Sequence, residues 1–158
     1  MYYVFFTKIV YSVWDDAKMK IVVVGRMKEK YLQEGITEYV KRLGAFTPLK
    51  VIEVKDSGME EEGEKILKAL SDDYVIALDV KGRELSSEEF SLFLKKNPDK
   101  KIAFVIGGAE GLSGKVLDRA DYPLSLSRMT FTHEMARLIF LEQLYRAFTI
   151  MHGRKYHK

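Results

Sequence analysis

The chain has no cysteine among its 158 residues. A disulfide framework, a zinc site built on thiolates and a cysteine nucleophile are therefore excluded. Two nucleotide-binding signatures are missing as well. No G-x-G-x-x-G motif follows the first predicted strand, where Gly25-Arg26-Met27-Lys28 stands, and no G-x-x-x-x-G-K-[ST] motif occurs anywhere. The sequence thus predicts neither a standard dinucleotide site nor a P-loop.

The apolar start of the chain is too short to cross a bilayer. Met1–Val13 is apolar and aromatic, but Lys8 interrupts it. It has neither the basic start nor the small-residue cleavage site of a secretory signal. We interpret residues 1–18 as a non-functional extension from an upstream start codon, and residues 19–158 as one functional domain. With no cysteine and no membrane partner predicted, we expect a cytoplasmic protein.

Strand and helix patterns alternate along this domain. Short apolar runs predict strands at 21–24, 49–54, 74–78, 102–106 and 123–126. Amphipathic periodicity predicts helices at 31–43, 60–70, 86–96, 113–120 and 132–151, and Ser86 with Glu89 forms a capping box at the start of the third. Strands separated by helices, without hairpin signals, predict an α/β fold with a mostly parallel sheet and helices on both faces.

The last predicted helix is apolar on more than one face. Its apolar residues include Met135, Leu138, Phe140, Leu144 and Phe148. A helix that is apolar nearly all round must be buried nearly all round. We expect one side to pack on the sheet and the other, including Leu144, to pack on a second copy in a homodimer. The alternative is a central helix inside a monomer.

Positive charge is concentrated at the C-terminal end. Leu126–Lys158 contains six Lys and Arg against two acidic residues, while the rest of the chain has twenty basic and twenty-one acidic residues. A basic end beside a near-neutral body predicts a polyanionic partner, most simply nucleic acid. The alternative is a solvated helix and tail that bind nothing.

Two predicted strands run directly into polar turns that precede helices. The first segment is Ile102–Leu112 and the second is Leu124–His133. Both turns would open on the carboxyl edge of a parallel sheet, where α/β proteins hold their ligands. Gly107, Gly108 and Gly111 would let the backbone approach a ligand closely, or they would only form a tight turn.

Hydroxyl residues alternate with apolar residues in the second of these segments. Ser125, Ser127 and Thr130 offer hydrogen bonds beside leucine and methionine side chains. This combination suits a flat heteroaromatic ring such as adenine. Capping of the last helix is the alternative use of one of these hydroxyls.

Four segments together resemble the SPOUT methyltransferases. They are I-G-G-A-E-G-L, L-S-L-S-R-M-T-F-T-H, L-E-Q-L-Y-R-A-F-T-I-M-H-G and the ending K-Y-H-K. The opening K-I-V-V-V-G-R-M-K-E-K-Y and the segment E-Y-V-K-R-L also resemble one family in that class, the ribosomal RNA large subunit methyltransferase H family. The resemblance covers Met19–Lys158, and residues 1–18 have no counterpart in it.

The resemblance implies a function, a cofactor and an assembly. It implies methyl transfer from S-adenosylmethionine to N3 of a pseudouridine in 23S rRNA of the assembled ribosome. It also implies an obligate homodimer and a C-terminal trefoil knot, a rare exception to the rule that chains are unknotted. By matched motifs, the implied cofactor-binding residues are Leu78, Gly107, Gly108, Leu126, Ser127, Arg128, Met129, Thr130 and Phe131. No role is implied for Glu110.

The implied chemistry needs a base, because N3 of a uracil ring must lose its proton before its lone pair attacks a methyl group. The candidates are His133, at the mouth of the cofactor loop, and His157 in the tail, with Tyr156 beside it. Arg154 is a candidate for contact with RNA phosphates or with the developing anionic base. These four residues form the predicted catalytic set. His152 and His157 have no companion ligands at metal spacing, so no metal site is predicted.

The tail and the cofactor turns lie at opposite ends of the last predicted helix, about 30 Å apart at a rise of 1.5 Å per residue. We therefore expect the tail of one subunit to complete the site of its partner in an antiparallel dimer. Two other functions stay open: a non-catalytic ribosome- or RNA-binding module with this fold, and a SPOUT methyltransferase that acts on another RNA base. A flavodoxin-like protein is disfavoured, because the ligand turns follow the fourth and fifth strands and not the first.

Overall fold

Strands and helices alternate from residue 19 onward, as the sequence predicts. The computed structural model describes residues 17–156 in full and the backbone of residues 2–6 and 9–13. The strands are β1 (Tyr2–Phe6), β2 (Ile9–Val13), β3 (Met19–Val24), β4 (Leu49–Val54), β5 (Tyr74–Glu84), β6 (Ile102–Ile106) and β7 (Tyr122–Ser125). The helices are α1 (Lys30–Leu43), α2 (Met59–Leu70), α3 (Ser87–Lys95), α4 (Gly114–Arg119) and α5 (His133–Met151).

The first two strands lie in a segment for which the sequence patterns predicted none. β1 and β2 pair antiparallel, with Tyr2 opposite Val13 and Phe6 opposite Ile9. Their sequences, YYVFF and IVYSV, consist almost entirely of aromatic and β-branched residues, which favour extended backbone. The interpretation of residues 1–18 as a non-functional extension stays a prediction.

The other five strands form one sheet in which every neighbouring pair is parallel. The strand order is β4-β3-β6-β5-β7. β6 is central and every one of its residues is buried, as expected for a continuous apolar strand that is covered on both faces. The predicted parallel sheet is confirmed. Because β6, β5 and β7 are neighbours, the turns after β6 and β7 open on the same edge.

Alternate residues of the central strands face two separate cores. Ile21 and Val23 of β3 belong to a core that also contains residues of α1, α3 and α5. Val22 and Val24 belong to a second core with residues of α2 and α4. Each of these side chains is at most 1% exposed, and burial of one such side chain contributes about 1.5–3 kcal/mol. Helices therefore cover both faces of the sheet, as predicted.

α5 contacts both α1 and α3 on one face of the sheet. A Cβ on Gly35 of α1 would lie only 2.9 Å from Leu138, and Ser91 of α3 donates a hydrogen bond to the carbonyl of Ala147 at 3.0 Å. Leu144 is 0% exposed within this chain, so the expectation that it faces a partner is wrong. Flanking helices cover much of the apolar surface of α5. The homodimer stays a prediction that must rest on other grounds.

β5 runs to Glu84, well beyond its predicted end at Leu78. Its pairing with β7 shifts between Leu78 and Arg83, and β5 then resumes its pairing. A Cβ on Gly82 would lie 2.7 Å from the carbonyl carbon of Leu124, so only glycine permits this close approach. The polar residues and the glycine after Leu78 predicted the end of a strand, but pairing with β7 continues the strand past them.

Candidate active site

A cavity of about 690 Å³ opens at the carboxyl edge of the sheet. Its walls come from residues 78–80 in the middle of β5, the end of β6, the turn after β6, the loop after β7 and the first turn of α5. The predicted site residues in these walls are Leu78, Gly107, Gly108, Leu126, Ser127, Met129, Thr130, Phe131 and His133. The fold therefore gathers residues from three separate segments around one space.

Glycines close the turn after β6 on itself. The N–H of Gly111 donates to the carbonyl of Gly108 at 3.1 Å, and Gly111 has a φ of +84°. A Cβ on Gly107 would lie 2.7 Å from the carbonyl carbon of Gly111. The tight turn that the glycines predict is confirmed. The same turn brings their backbone against the cavity.

Hydroxyl groups fix the loop after β7. Ser125 donates to the carbonyl of Ser127 at 3.0 Å, and the Ser127 hydroxyl accepts from the N–H of Met129 at 3.0 Å. The cap of α5 is Thr132, which accepts from the N–H of Met135 at 3.3 Å. None of the three hydroxyl residues considered from the sequence, Ser125, Ser127 and Thr130, is therefore the N-cap of α5. The loop is held by its own hydrogen bonds in the shape that forms one cavity wall.

Arg128 lies in this loop, but its side chain is not part of the cavity wall. The side chain is 92% exposed, and its Nε lies 3.9 Å from a carboxylate oxygen of Glu84. The adjacent residues Ser127 and Met129 do line the cavity, and Met129 is 74% exposed. This wall is therefore open to solvent. A contribution of Arg128 to cofactor binding stays a prediction.

The first turn of α5 holds the turn between β3 and α1. Glu134, 8% exposed, accepts hydrogen bonds at 3.1 and 3.2 Å from the N–H groups of Lys28 and Glu29, which directly precede α1. Arg137, 2% exposed, donates to the carbonyl of Gly25 at 3.0 Å and to that of the preceding residue at 2.9 Å. Buried charges are tolerated when they are hydrogen-bonded in this way. These contacts fix the start of α5 relative to β3.

His133 is the first residue of α5 and lines the cavity. The His133 side chain and the Asp56 side chain both lie close to Gly25. A Cβ placed on Gly25 would be 3.9 Å from Nε2 of His133 and 3.9 Å from a carboxylate oxygen of Asp56. The imidazole is therefore at the edge of the cavity, beside the ends of β3 and β4. Of the predicted catalytic residues that the structure describes, His133 is the one at the cavity.

Two carboxylates in the cavity wall were not assigned a role from sequence. Asp79 lies where the pairing of β5 with β7 shifts, and its carboxylate accepts from the N–H of Lys81 at 3.3 Å. Glu110 lies in the glycine turn after β6. Their positions in the sequence could have indicated a place in the site. Asp79 directly follows a predicted buried strand, and Glu110 stands between the glycines of the turn. Both carboxylates place negative charge at the cavity.

The hydroxyl of Tyr156 is engaged away from this cavity. It lies 3.1 Å from the hydroxyl of Tyr39 and donates to a carboxylate oxygen of Glu142 at 3.1 Å. Burial, followed by the hydrogen bond with Tyr39, raises the pKa of Tyr156 above its ordinary value of 10.0. The hydroxyl therefore keeps its proton at neutral pH.

The tail is separated from the cavity along α5. The guanidinium of Arg154 lies over the ring of Phe46, 4.6 Å from its centroid. His157 lies outside the described residues. Because α5 has 19 residues, it extends about 28 Å. Neither Arg154 nor Tyr156 lines the cavity of its own chain.

Within the described part of the chain, no three histidine, aspartate or glutamate side chains come together as ligands for a metal ion. No helix within residues 17–156 combines the length and apolar character needed to cross a membrane.

Known proteins are similar to this chain in sequence and in fold. The family model described as predicted SPOUT methyltransferase matches residues 17–157. A probable methylase family protein from Haemophilus influenzae Rd KW20 has a similar fold, with a TM-score of 0.58 at 19% identity, over 89% of this chain and 70% of that one. The chain belongs to the SPOUT methyltransferases.

Curated relatives narrow this class. The ribosomal RNA large subunit methyltransferase H of Carboxydothermus hydrogenoformans is 49% identical over 89% of this chain and 99% of its own length. The protein of the same name from Halothermothrix orenii is 48% identical over the same shares. The chain is therefore a member of the ribosomal RNA large subunit methyltransferase H family, as its motifs predict.

Proposed function

We propose that this chain transfers a methyl group from S-adenosylmethionine to N3 of a pseudouridine in 23S rRNA of the assembled ribosome. The observation that carries the proposal is the cavity in which Leu78 and the two motif segments converge. The name of the curated relatives, ribosomal RNA large subunit methyltransferase H, supports an RNA substrate. A substrate within the ribosome would place the activity in the cytoplasm.

The cavity walls suit a cationic donor that carries a flat base. The volume of about 690 Å³ lies in the range of small-molecule sites, roughly 300–1,000 Å³. Leu78 and Leu126 would contact an adenine ring beside the backbone of Gly107. The carboxylates of Asp79 and Glu110 complement a sulfonium and an ammonium group. When bound, S-adenosylmethionine supplies a methyl group that is already activated for transfer.

The residues of the chain then align the RNA base and manage its proton. Alignment of the reacting atoms supplies much of the reduction in the barrier. We assign the general base to His133, which lies at the cavity edge as the first residue of α5. The contacts of Glu134 and Arg137 hold that end of α5 in place. A positioned base contributes about 10²–10⁴-fold to the rate. Tyr156, whose pKa is raised, serves as a hydrogen-bond donor and not as a base.

The same proposal includes a knotted homodimer in which the tail of each subunit completes the cavity of its partner. The separation of about 28 Å along α5 between the cavity and the tail supports the exchange of tails between subunits. The knot is supported by membership of the family. An antiparallel arrangement of two chains brings the two ends together. Arg154 and Tyr156 would then contact the RNA base or its phosphate in the partner's site, and His157 is a second candidate base.

Mapping of methylated nucleotides in 23S rRNA from cells with and without this gene tests the activity. We expect one methylated pseudouridine to disappear without the gene, and to return when purified chain and S-adenosylmethionine are added to those ribosomes. Calorimetric titration with S-adenosylmethionine is the control, because a non-catalytic ribosome-binding module has no need of it. Identical methylation maps, with a folded chain that binds no cofactor, would refute the proposal.

A mixed dimer tests the contribution of the tail. Removal of residues 153–158 should abolish methylation of ribosomes and leave cofactor affinity nearly unchanged. Mixing this truncated chain with a Gly107→Val chain should restore about one working site per heterodimer, the count expected for closed two-fold assemblies. Thermal unfolding must first show that both chains fold, because the truncation also removes the contacts of Tyr156. No activity from verified heterodimers would place tail and cavity in the same subunit.

A further inference from the structure

Basic side chains gather where the C-terminal ends of α1 and α5 meet the tail. They are Lys41 and Arg42 of α1, Arg146 of α5, and Arg154 with Lys155 of the tail. All except Arg146 are exposed, and the Arg146 side chain is 25% exposed. We call this surface the basic aromatic face.

Aromatic rings underlie the arginines of this face. The Arg42 guanidinium lies 5.6 Å from the ring centroid of Tyr39 and 5.8 Å from that of Tyr145. The Arg146 guanidinium lies 4.9 Å from the centroid of Tyr156, whose ring packs edge-on against Tyr145 at 4.8 Å. The rings therefore form one connected layer beneath the positive charges.

The charges of the basic aromatic face are only partly neutralised. Glu38 accepts from Nε of Arg42 at 2.7 Å, and Glu142 accepts from Nη2 of Arg146 at 2.5 Å. Each carboxylate is thus already bound to an arginine of its own helix. Five basic groups against two acids leave an excess of three positive charges. Lys41, Arg154 and Lys155 carry this excess, because Arg42 and Arg146 are paired with the two acids. Excess charge of this kind attracts a polyanion.

Stacking on a ring presents an arginine to a phosphate in a favourable way. A guanidinium that lies flat on an aromatic face keeps its N–H donors in the plane of the group, where they are directed outward. The arrangement also limits rotation of a long side chain, so less entropy is lost when a ligand binds. Arg42, Arg146 and Arg154 of the face each lie over at least one ring, with distances of 4.6 to 5.8 Å between guanidinium and ring centroid.

We infer that the basic aromatic face binds the phosphate backbone of the RNA segment that flanks the methylated base. The inference rests on the proposed function, because it takes RNA as the substrate. In an antiparallel dimer this face would lie next to the partner's cavity, where the RNA enters. Its role is to position the RNA, since contacts to phosphates fix the orientation of a nucleic acid without reading its bases.

Arg42→Gln with Lys155→Gln tests the inference by removing two positive charges from the face. The matched control is Lys30→Gln with Lys68→Gln, which removes two exposed charges elsewhere. Lys30 suits the comparison with Arg42, because it lies on the same helix and pairs with Glu34 at the same i,i+4 spacing, at 3.8 Å. Binding of each protein to assembled ribosomes is measured at several salt concentrations, together with methylation, cofactor affinity and thermal unfolding.

We expect the face variant to bind ribosomes roughly tenfold more weakly than the control, with the slope of log affinity against log salt reduced by about 0.7–0.9 per lost phosphate contact. Cofactor affinity should not change. Equal ribosome affinity and equal slope for the two variants would overturn the inference, and the proposed activity would stand if both still methylate. Selective weakening of the face variant, with no methylation by the unmodified chain, would support the face and refute the proposed activity.

Discussion

Alanine at Gly107 adds one methyl group to the turn that forms a wall of the cavity. The new Cβ would lie 2.7 Å from the carbonyl carbon of Gly111 and 2.8 Å from its oxygen. Both are backbone atoms, so no side-chain rotation relieves the contact. Ordinary contact begins at 3.4 Å, and the turn must therefore move by roughly 0.7 Å. The perturbation acts on the shape of the cavity before any ligand is present.

The size of the effect follows from this displacement. Overpacking of a tight site costs about 1–3 kcal/mol of unfolding free energy. A misplacement of about 1 Å in a positioning element reduces an enzyme rate by up to about 10²-fold. We therefore expect the dissociation constant for S-adenosylmethionine to rise about tenfold or more, which is about 1.4 kcal/mol. Gly107→Val should have a larger effect, because its branched side chain adds more atoms at the same point.

Calorimetric titration measures the affinity of Gly107→Ala, and thermal unfolding measures its stability. Gly114→Ala is the matched control, because a Cβ at that position has nothing within 4 Å. We expect the control to bind the cofactor as the unmodified chain does. If Gly107→Ala is as stable and binds as tightly as Gly114→Ala, the turn does not form the cofactor wall and the reasoning is refuted.

Two other substitutions test the packing of α5 and the state of the tail. Leu144→Ala should lower the free energy of unfolding by about 2–5 kcal/mol, because Leu144 is fully buried. The control Leu92→Ala should lower it far less, because Leu92 is 49% exposed. Equal losses of stability in urea unfolding would contradict the core position of Leu144. Tyr156 has a raised pKa, so its stabilising contribution is complete below its ordinary value of 10.0 and is lost as the pH rises above it. From about pH 9 to about pH 11, the unmodified chain should thus lose up to about 1 kcal/mol more stability than Tyr156→Phe, and parallel losses in the two proteins would show that the hydroxyl ionises freely.

Local patterns in the sequence predicted most of the elements. The capping box is present: Ser86 accepts from the N–H of Glu89 at 3.1 Å, and the Glu89 carboxylate accepts from the N–H of Ser86 at 2.7 Å. The apolar run at 102–106 is the buried central strand β6. These features depend on residues that are close in sequence, so a short window contains the necessary information.

Predictions that depended on distant partners were less successful. The end of β5 was placed at Leu78, because nothing local shows that β7 continues to pair with the strand as far as Glu84. Leu144 was placed on an outer face, because helical periodicity does not show that α1 and α3 both contact α5. Apolar character alone cannot distinguish a helix covered by its own chain from one covered by a partner.

The candidate site divides in the same way. The sequence by itself determined the two turns that line the cavity, since the glycines of the turn after β6 and the hydroxyls of the loop after β7 act within their own segments. Only the tertiary structure decided that Asp79 and Glu110 share the cavity wall with His133, and that Tyr156 binds Glu142 away from it. The physical reason is that strand order and helix packing set distances between residues far apart in the chain, and no local pattern encodes those distances.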